Sequence, residues 1–374
     1  MVSQEKNTGP AGPDCRETPR PVLGISIGDP AGIGPEITVK ALSLPPIYER
    51  AIPLVYADRI VLEDALELTG ENFNLRAVET PGDARGEFGT IDFIDAGFLK
   101  GGDYAYGQVR AVSGEAAFRY VVAALRDALA GATAAVVTGP INKEAINLAG
   151  HHFPGHTEIF AHYTNTRDYG MLLSAGKLPG DTPGDDTPGG LRVIHVTTHV
   201  SMREACNLIT KDRVLKTINL AARALKLMGS PRRRIAVAGL NPHASEKGLF
   251  GDEEAREIGP AVEAARAEGL DVSGPVPPDT VFVRALGGSF DVVVAMYHDQ
   301  GHIPLKLCGF RMDPLTGLYT QMSGVNTTIG LPIIRTSVDH GTAFDRAGKN
   351  LSNEGSMVEA LNMAVIFVKN RGRI

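Results

Sequence analysis

Five short runs rich in Val, Ile and Ala, each closing on a polar cluster, constrain the fold of this chain most. VLGISIG at 22–28 leads into the turn DPAGIGP and then EITVKAL, which reads as strand, loop and helix. AAVVTG at 134–139, LRVIHVTTH at 191–199, RIAVAGLNPH at 234–243 and DVVVAMYHDQ at 291–300 repeat the pattern. Runs without polar alternation suit strands buried on both faces, and such strands deliver their C-terminal ends to a site. Helical patterns separate them: GEAAFRYVVAALRDALAG from 114, TKDRVLKTINLAARALKLMG from 210 and DEEAREIGPAVEAARAEG from 252, the last with an acidic start and a glycine stop. Strands alternating with helices predict an α/β fold. No internal repeat is found, and two turn-rich stretches, 180–190 and 311–323, read as surface insertions without obvious chemistry.

Composition excludes several functions. With 374 residues, 43% hydrophobic, the chain can build two domains or one large one. A net charge of -6 leaves no general basic surface for nucleic acid, although a local anion pocket remains possible. The three cysteines, Cys15, Cys206 and Cys308, are far apart and form no CxxC pair, which argues against a disulfide framework and a thiolate zinc site. Residues 1–20 lack the apolar core of a signal peptide, and no later run reaches membrane-spanning length. They read as a disordered tail on a cytosolic protein.

Ten histidines are present, and three share a context. His199, His243 and His298 each close a different apolar run. Neutral imidazole is a good ligand for zinc and other first-row divalent ions, and three protein ligands with open positions is what a catalytic metal needs. Spacings of 44 and 55 residues are not a local motif, so a set of hydrogen-bonded structural histidines stays an open alternative. His151 and His152 read as loop residues, His162 as helical and His195 as lying inside a strand.

Anion signals are dispersed. GDPAGIGPE at 28–36 does not fit GxGxxG and reads equally as a tight strand-to-helix turn. TGPINKE at 138–144 and PGHTE at 154–158 offer turn donors with a cation or an imidazole. Lys306, Asn326 and Arg335 follow the His298 run in apolar surroundings, PLKLCGF and GLPIIRTSV, which are not the flanks of solvated charges; a point charge and a planar fork together suit a phosphate.

In this order, GDPAGIGPEI, TGPINK, PGHTE, THV, GLNPH, GPVPPDTVF, YHDQGHIPLK, VNTTIGLP and IRTSVDHGTAFDRAG resemble the 4-hydroxythreonine-4-phosphate dehydrogenases of pyridoxine biosynthesis, from about residue 22 to the C-terminus. FPGHTE, TRDYGMLL, KGLFGDEE and HDQGHIPLKL read closer to a sister branch acting on D-threonate or D-erythronate 4-phosphate. GIGPEI and DHGTAFDRAGK are more distantly similar to isopropylmalate and isocitrate dehydrogenases.

The resemblance implies two α/β/α domains around a cleft, isocitrate/isopropylmalate dehydrogenase-like. Residues 21–140 with 325–374 would form the dinucleotide side, and 141–324 the metal, substrate and dimerisation side. It implies His199, His243 and His298 as ligands of a divalent metal, zinc ahead of magnesium, manganese or cobalt. His156, Thr157, Lys306, Asn326 and Arg335 would contact the phosphorylated substrate. Asp339, His340, Gly341, Thr342, Ala343 and Asp345 would face NAD or NADP. The partner implied is a second copy, in a homodimer whose active site draws on both subunits.

The activity implied is metal-assisted oxidation of a 4-phosphorylated hydroxy acid, with loss of carbon dioxide from the resulting 3-keto acid. Lys306, a histidine or a metal-bound water are candidate bases. An aromatic cis-dihydrodiol dehydrogenase would keep the histidines but need no phosphate site. Against a phosphate acyltransferase stand the histidines and DHGTAFD, and against a non-catalytic binding protein stands the complete residue set. Two departures stand out: Ser245 in NPHASE where relatives commonly have glycine, and the stretch 311–323 where they are much shorter.

Overall fold

A computed structural model describes residues 19–176, 190–317 and 319–373. The expected tail over 1–20 falls almost wholly outside these residues, as does most of the expected insertion over 180–190. In chain order the strands are β1 (Val22–Ser26), β2 (Ile52–Ala57), β3 (Asn74–Ala77), β4 (Thr90–Asp95), β5 (Ala135–Thr138), β6 (Gly170–Gly176), β7 (Gly190–His195), β8 (Ile235–Ala238), β9 (Val272–Val276), β10 (Val292–Ala295), β11 (Phe310–Met312), β12 (Tyr319–Met322), β13 (Val325–Ile329) and β14 (Arg335–Val338).

Twelve of them form one sheet in the order β3-β4-β2-β1-β5-β14-β13-β6-β7-β10-β8-β9. Strands β3 to β14 in that order run parallel, and so do β7, β10, β8 and β9. Between these flanks, β13 and β6 pair antiparallel to each other and to their outer neighbours. The α/β class is as expected. The strands of 22–138 and 325–338 lie on one side of the β13·β6 pairing and those of 170–295 on the other, in a sheet that continues across it.

The apolar runs explain why this sheet is covered on both faces. In β7, β8 and β10, alternate residues enter different cores: Ile194, Val237 and Val294 join the large one, while Val193, Ala236 and Val293 join a smaller one. Helix Lys211–Leu227 supplies Val214, Ile218 and Leu225 to the first, and helix Pro278–Leu286 supplies Val281 and Phe282 to the second. Each such side chain contributes roughly 1.5–3 kcal/mol by leaving water. No helix among the described residues is long and apolar enough to cross a membrane.

Two segments depart from the sequence reading. The helix expected from 252 opens with a π turn, Glu254–Ile258, before the α-helix Gly259–Ala267. Its acidic start is put to local use, because Glu254 turns back to accept hydrogen bonds from the chain leaving β8. The 311–323 insertion is not featureless: it carries most of the antiparallel β11·β12 hairpin, with Leu315 almost fully exposed at its tip.

Helix Ala111–Leu129 packs on helix Lys143–Leu148 through Gly114, where a Cβ would stand 2.0 Å from the Ala145 carbonyl oxygen. Glycine to alanine inside a helix ordinarily gains about 0.5–1 kcal/mol. Here backbone blocks the added methyl, so Gly114→Ala is expected to destabilise by about 1–3 kcal/mol, read from urea midpoints. A raised midpoint would show that the two helices can separate freely.

Candidate active site

A cavity of about 310 Å3 opens where the ends of β5, β7 and β14 meet the starts of β6 and β13. One end carries a buried cation. Arg335, the first residue of β14, is 2% exposed, and its Nη1 donates to Thr328 Oγ1 at 3.1 Å and its Nη2 to Thr138 Oγ1 at 2.7 Å. Its guanidinium lies 5.6 Å from the centre of the Phe160 ring, and its Nε has no partner. Burial lowers its pKa to about 9, against the opposing charge of Glu158, so it stays cationic at neutral pH.

No carboxylate of the described residues forms an ion pair with Arg335, and an unpaired buried charge costs several kcal/mol. Two further buried polar atoms line the cavity without a partner: His156 Nε2, which can donate to an anion when it carries the ring proton, and Asn326 Oδ1, which can accept from a substrate hydroxyl. Burial, then the Arg335 charge, holds His156 well below the usual histidine range. Thr157 Oγ1 lies 3.4 Å from Thr328 Oγ1 in the same corner. Such a set suits a phosphate or a carboxylate.

The other end is lined by the imidazoles of His195, His199 and His302, with His298 outside its wall in an adjoining pocket that His199 also lines. The His199 and His298 rings have centroids 5.4 Å apart, and His302 stacks on His298 at 3.7 Å. His298 opens helix His298–Gly309 rather than closing a strand, and its Nδ1 lies 2.6 Å from Asp299 Oδ1. A carboxylate on one ring nitrogen turns the other outward, the arrangement usual for metal-binding histidines. Burial, then Lys143 and His298, lowers the pKa of His199, which favours the neutral ligand form. His195, the last residue of β7, is fully buried behind them, and burial, then the His302 charge, lowers its pKa to about 3.

His243 is placed differently. It stands exposed on the turn after β8, with its ring 6.4 Å from that of Phe250 and no ring contact to His199 or His298 within the chain. Among the described residues no group of three or more metal-ligating side chains converges. One chain thus brings together two of the three expected ligands, and their chemistry fits part of a metal site.

The turn is strained. His243, Ala244, Ser245, Glu246 and Lys247 all have positive φ, from 48° to 72°, and left-handed backbone costs a residue with a Cβ roughly 1–2 kcal/mol. Around it, the Glu254 carboxylate accepts from Leu240 N at 2.8 Å, Asn241 N at 2.7 Å and Asn241 Nδ2 at 2.9 Å. Gln300 joins the two histidine-bearing exits, its Nε2 donating to Gly239 O at 2.8 Å and its Oε1 accepting from Met296 N at 2.6 Å.

The remaining expected residues divide. Lys306 does not line the cavity, because its Nζ donates to the carbonyl and the carboxylate of Asp339, each at 2.6 Å. Asp339, His340 and Gly341 line it; Thr342, Ala343 and Asp345 lie beyond its wall. His340 Nε2 is buried without a partner. GDPAGIGPE proves to be a tight turn: Asp29 N–H donates to Pro140 O, Ala31 N–H to Asp29 Oδ1, Gly32 N–H to Asp29 O and Ile33 N–H to Thr342 O, leaving none of these four to cradle an anion.

Sequence reasoning passed over Arg213, Glu158 and His302, which also line the cavity. Arg213 sits in a charged helix start that reads as solvated, yet its Nε donates to Val196 O at 3.0 Å. His302 had a signal, since it follows His298 by four residues on one helix face.

A family model described as pyridoxal phosphate biosynthetic protein PdxA matches residues 49–364. The chain belongs to the PdxA family. The D-threonate 4-phosphate dehydrogenase of Cupriavidus necator is 46% identical over 352 residues, covering 94% of this chain and 98% of its own. The 4-hydroxythreonine-4-phosphate dehydrogenase of Desulfosudis oleivorans is 45% identical over 350 residues, covering 93% and 96%. The crystal structure of the 4-hydroxythreonine-4-phosphate dehydrogenase from Klebsiella pneumoniae superposes with a TM-score of 0.78 at 44% identity, covering 93% of this PdxA chain and 99% of that one.

The Asp29 turn, which docks on the 339–345 segment through Thr342, gives a pH test. Burial raises the Asp29 pKa from 3.8 to about 6, so the folded state binds its proton more tightly than the unfolded one. That contribution is complete below about pH 4 and is lost as pH rises to about 6, on the order of 3 kcal/mol in all. Urea midpoints of wild type and Asp29→Asn should therefore diverge in slope between these pH values and run parallel above them. Equal slopes throughout would mean that Asp29 ionises normally.

Proposed function

We propose that this PdxA-family chain is an NAD(P)-dependent dehydrogenase that oxidises a four-carbon hydroxy acid bearing a 4-phosphate, with D-threonate 4-phosphate and 4-phosphohydroxy-L-threonine as the substrates to separate. The observation that carries this reading is Arg335, a buried cation with no ion-pair partner, beside the unpartnered His156 Nε2. A phosphate there would accept from Arg335 Nε and from the Thr157 hydroxyl, and would supply the missing countercharge. The names of the relatives support the same substrate class.

The phosphate end would fix one terminus of the substrate, and the other would extend along the cavity toward His199. A bound divalent metal would acidify the reacting hydroxyl, and a bound nicotinamide would accept the hydride. His199 and His298 would hold that metal, with Asp299 orienting His298. Oxidation removes the C–H as hydride to the nicotinamide and the O–H proton to a base or to water. The 3-keto acid left behind loses carbon dioxide. Lys306 is bound twice to Asp339, a position better suited to fixing the segment at 339–341 than to taking a proton.

The third imidazole would come from a second copy. His243 projects from an exposed turn, and exposed apolar side chains flank the histidines: Val200, Met202, Leu249, Phe250 and Ile303. A homodimer would cover such residues and bring His243 of each subunit to His199 and His298 of the other. The dinucleotide side would be 21–140 with 325–374, and 141–324 would carry the histidines and the dimer contact.

Turnover of phosphorylated and dephosphorylated acids with NAD or NADP tests the substrate class, and only the phosphorylated acids should react at low concentration. Arg335→Lys should raise KM about tenfold to a hundredfold with little change in kcat, because one charge-assisted bond contributes about 1.5–3 kcal/mol and the ammonium cannot reproduce the fork. Equal turnover of dephosphorylated acids would instead favour a carboxylated dihydrodiol.

The shared site is tested by complementation. His243→Ala and His298→Ala homodimers should each be inactive, and reassociating an equal mixture should recover about a quarter of wild-type activity, since half of the dimers would hold one intact site. No recovery, with subunit exchange verified, would place all three ligands in one chain.

A further inference from the structure

We propose that Ser245 is a positioning residue for the metal site: its hydroxyl locks the left-handed turn that presents His243. The inference rests on the reading of His243 as a ligand. Five successive residues with a Cβ in left-handed backbone, from His243 to Lys247, do not hold that shape unaided, so the conformation must be imposed by contacts at both ends.

The entry is fixed by Glu254 on Leu240 and Asn241, and by Ala244 lying so close to Gly239 that a Cβ on Gly239 would stand 2.8 Å from Ala244 Cα. Ser245 fixes the exit. Its side chain is buried, its Oγ accepts from Gly248 N–H at 2.9 Å, and its hydroxyl donates to the Gly251 carbonyl. Its own carbonyl accepts from Phe250 N–H at 3.1 Å. One hydroxyl thereby ties the turn to the loop that carries Phe250, the ring nearest His243. Serine at φ +72° forgoes the freedom glycine would have there and gains that bridge. His243 lies between the two fixed points, so slack at the exit reaches its imidazole directly.

The test uses the purified full-length protein, stripped with a chelator and titrated with Co2+, following dissociation constant and visible absorption, with urea stability measured alongside. Ser245→Ala should bind Co2+ at least tenfold more weakly than wild type with an altered spectrum, and Ser245→Gly, which relaxes the backbone but loses the bridge, should fall between. If Ser245→Ala does not fold, Ser245→Gly decides: weaker binding supports the role and wild-type binding overturns it. Loss of stability with unchanged Co2+ affinity and spectrum in the folded variants also overturns it, since the hydroxyl would then serve the fold alone. His243→Ala separates the two levels. If it binds Co2+ as tightly as wild type, the ligand reading falls and takes this inference with it; if it loses the metal while the Ser245 variants keep it, only the inference falls.

Discussion

A guanidinium that is buried and bonded to no carboxylate has to be held by the whole of its surroundings, and Arg335 is held that way. It sits on β14, where the parallel flank meets the antiparallel pair β13·β6, and its two bonded nitrogens reach Thr138 on β5 and Thr328 on β13. Strand β5, nearly two hundred residues away, must therefore be in register beside the adjacent strands β13 and β14 before this charge has both of its hydrogen bonds. The cavity is a consequence of that pairing: the strand ends that fix Arg335 also set the walls against which His156, Asn326 and Asp339 stand.

The imidazole end follows another logic. Here short apolar strands stop in succession, and what each carries past its end is set by local clamps rather than by the sheet. Gln300 ties the exit of β8 to that of β10, through the Gly239 carbonyl and the Met296 N–H. The sheet gives this end its stiffness, and the polar clamps give it its geometry.

How much of this could be read from the chain depends on how local each determinant is. The buried strands and covering helices were legible because their apolar periodicity is written in consecutive residues, and His199 and His298 were legible as polar ends of such runs. Arg335 stood out because its neighbours, GLPIIRTSV, are those of a buried residue. The tie between Lys306 and Asp339 was not legible, since the residues are 33 apart and meet only through the fold. Nor was the exposed position of His243, because no propensity rule expects five consecutive left-handed residues without a glycine among them. Arg213 was hidden by its charged neighbours, which mark a solvated face everywhere except at its own position.

That run of left-handed backbone also inverts the usual ranking of substitutions. Elsewhere, a glycine introduced into an ordered segment enlarges the conformational freedom of the unfolded chain and weakens the fold. Between residues 243 and 247 the same change relieves native strain, so the exposed Glu246 and Lys247 are positions where glycine could raise the melting temperature. Selection for thermal stability alone would drift toward glycines there, and it would loosen the segment that, on the proposed reading, presents a metal ligand. If His243 is a ligand, a sturdier protein and a better catalyst lie in opposite directions of sequence space in this loop.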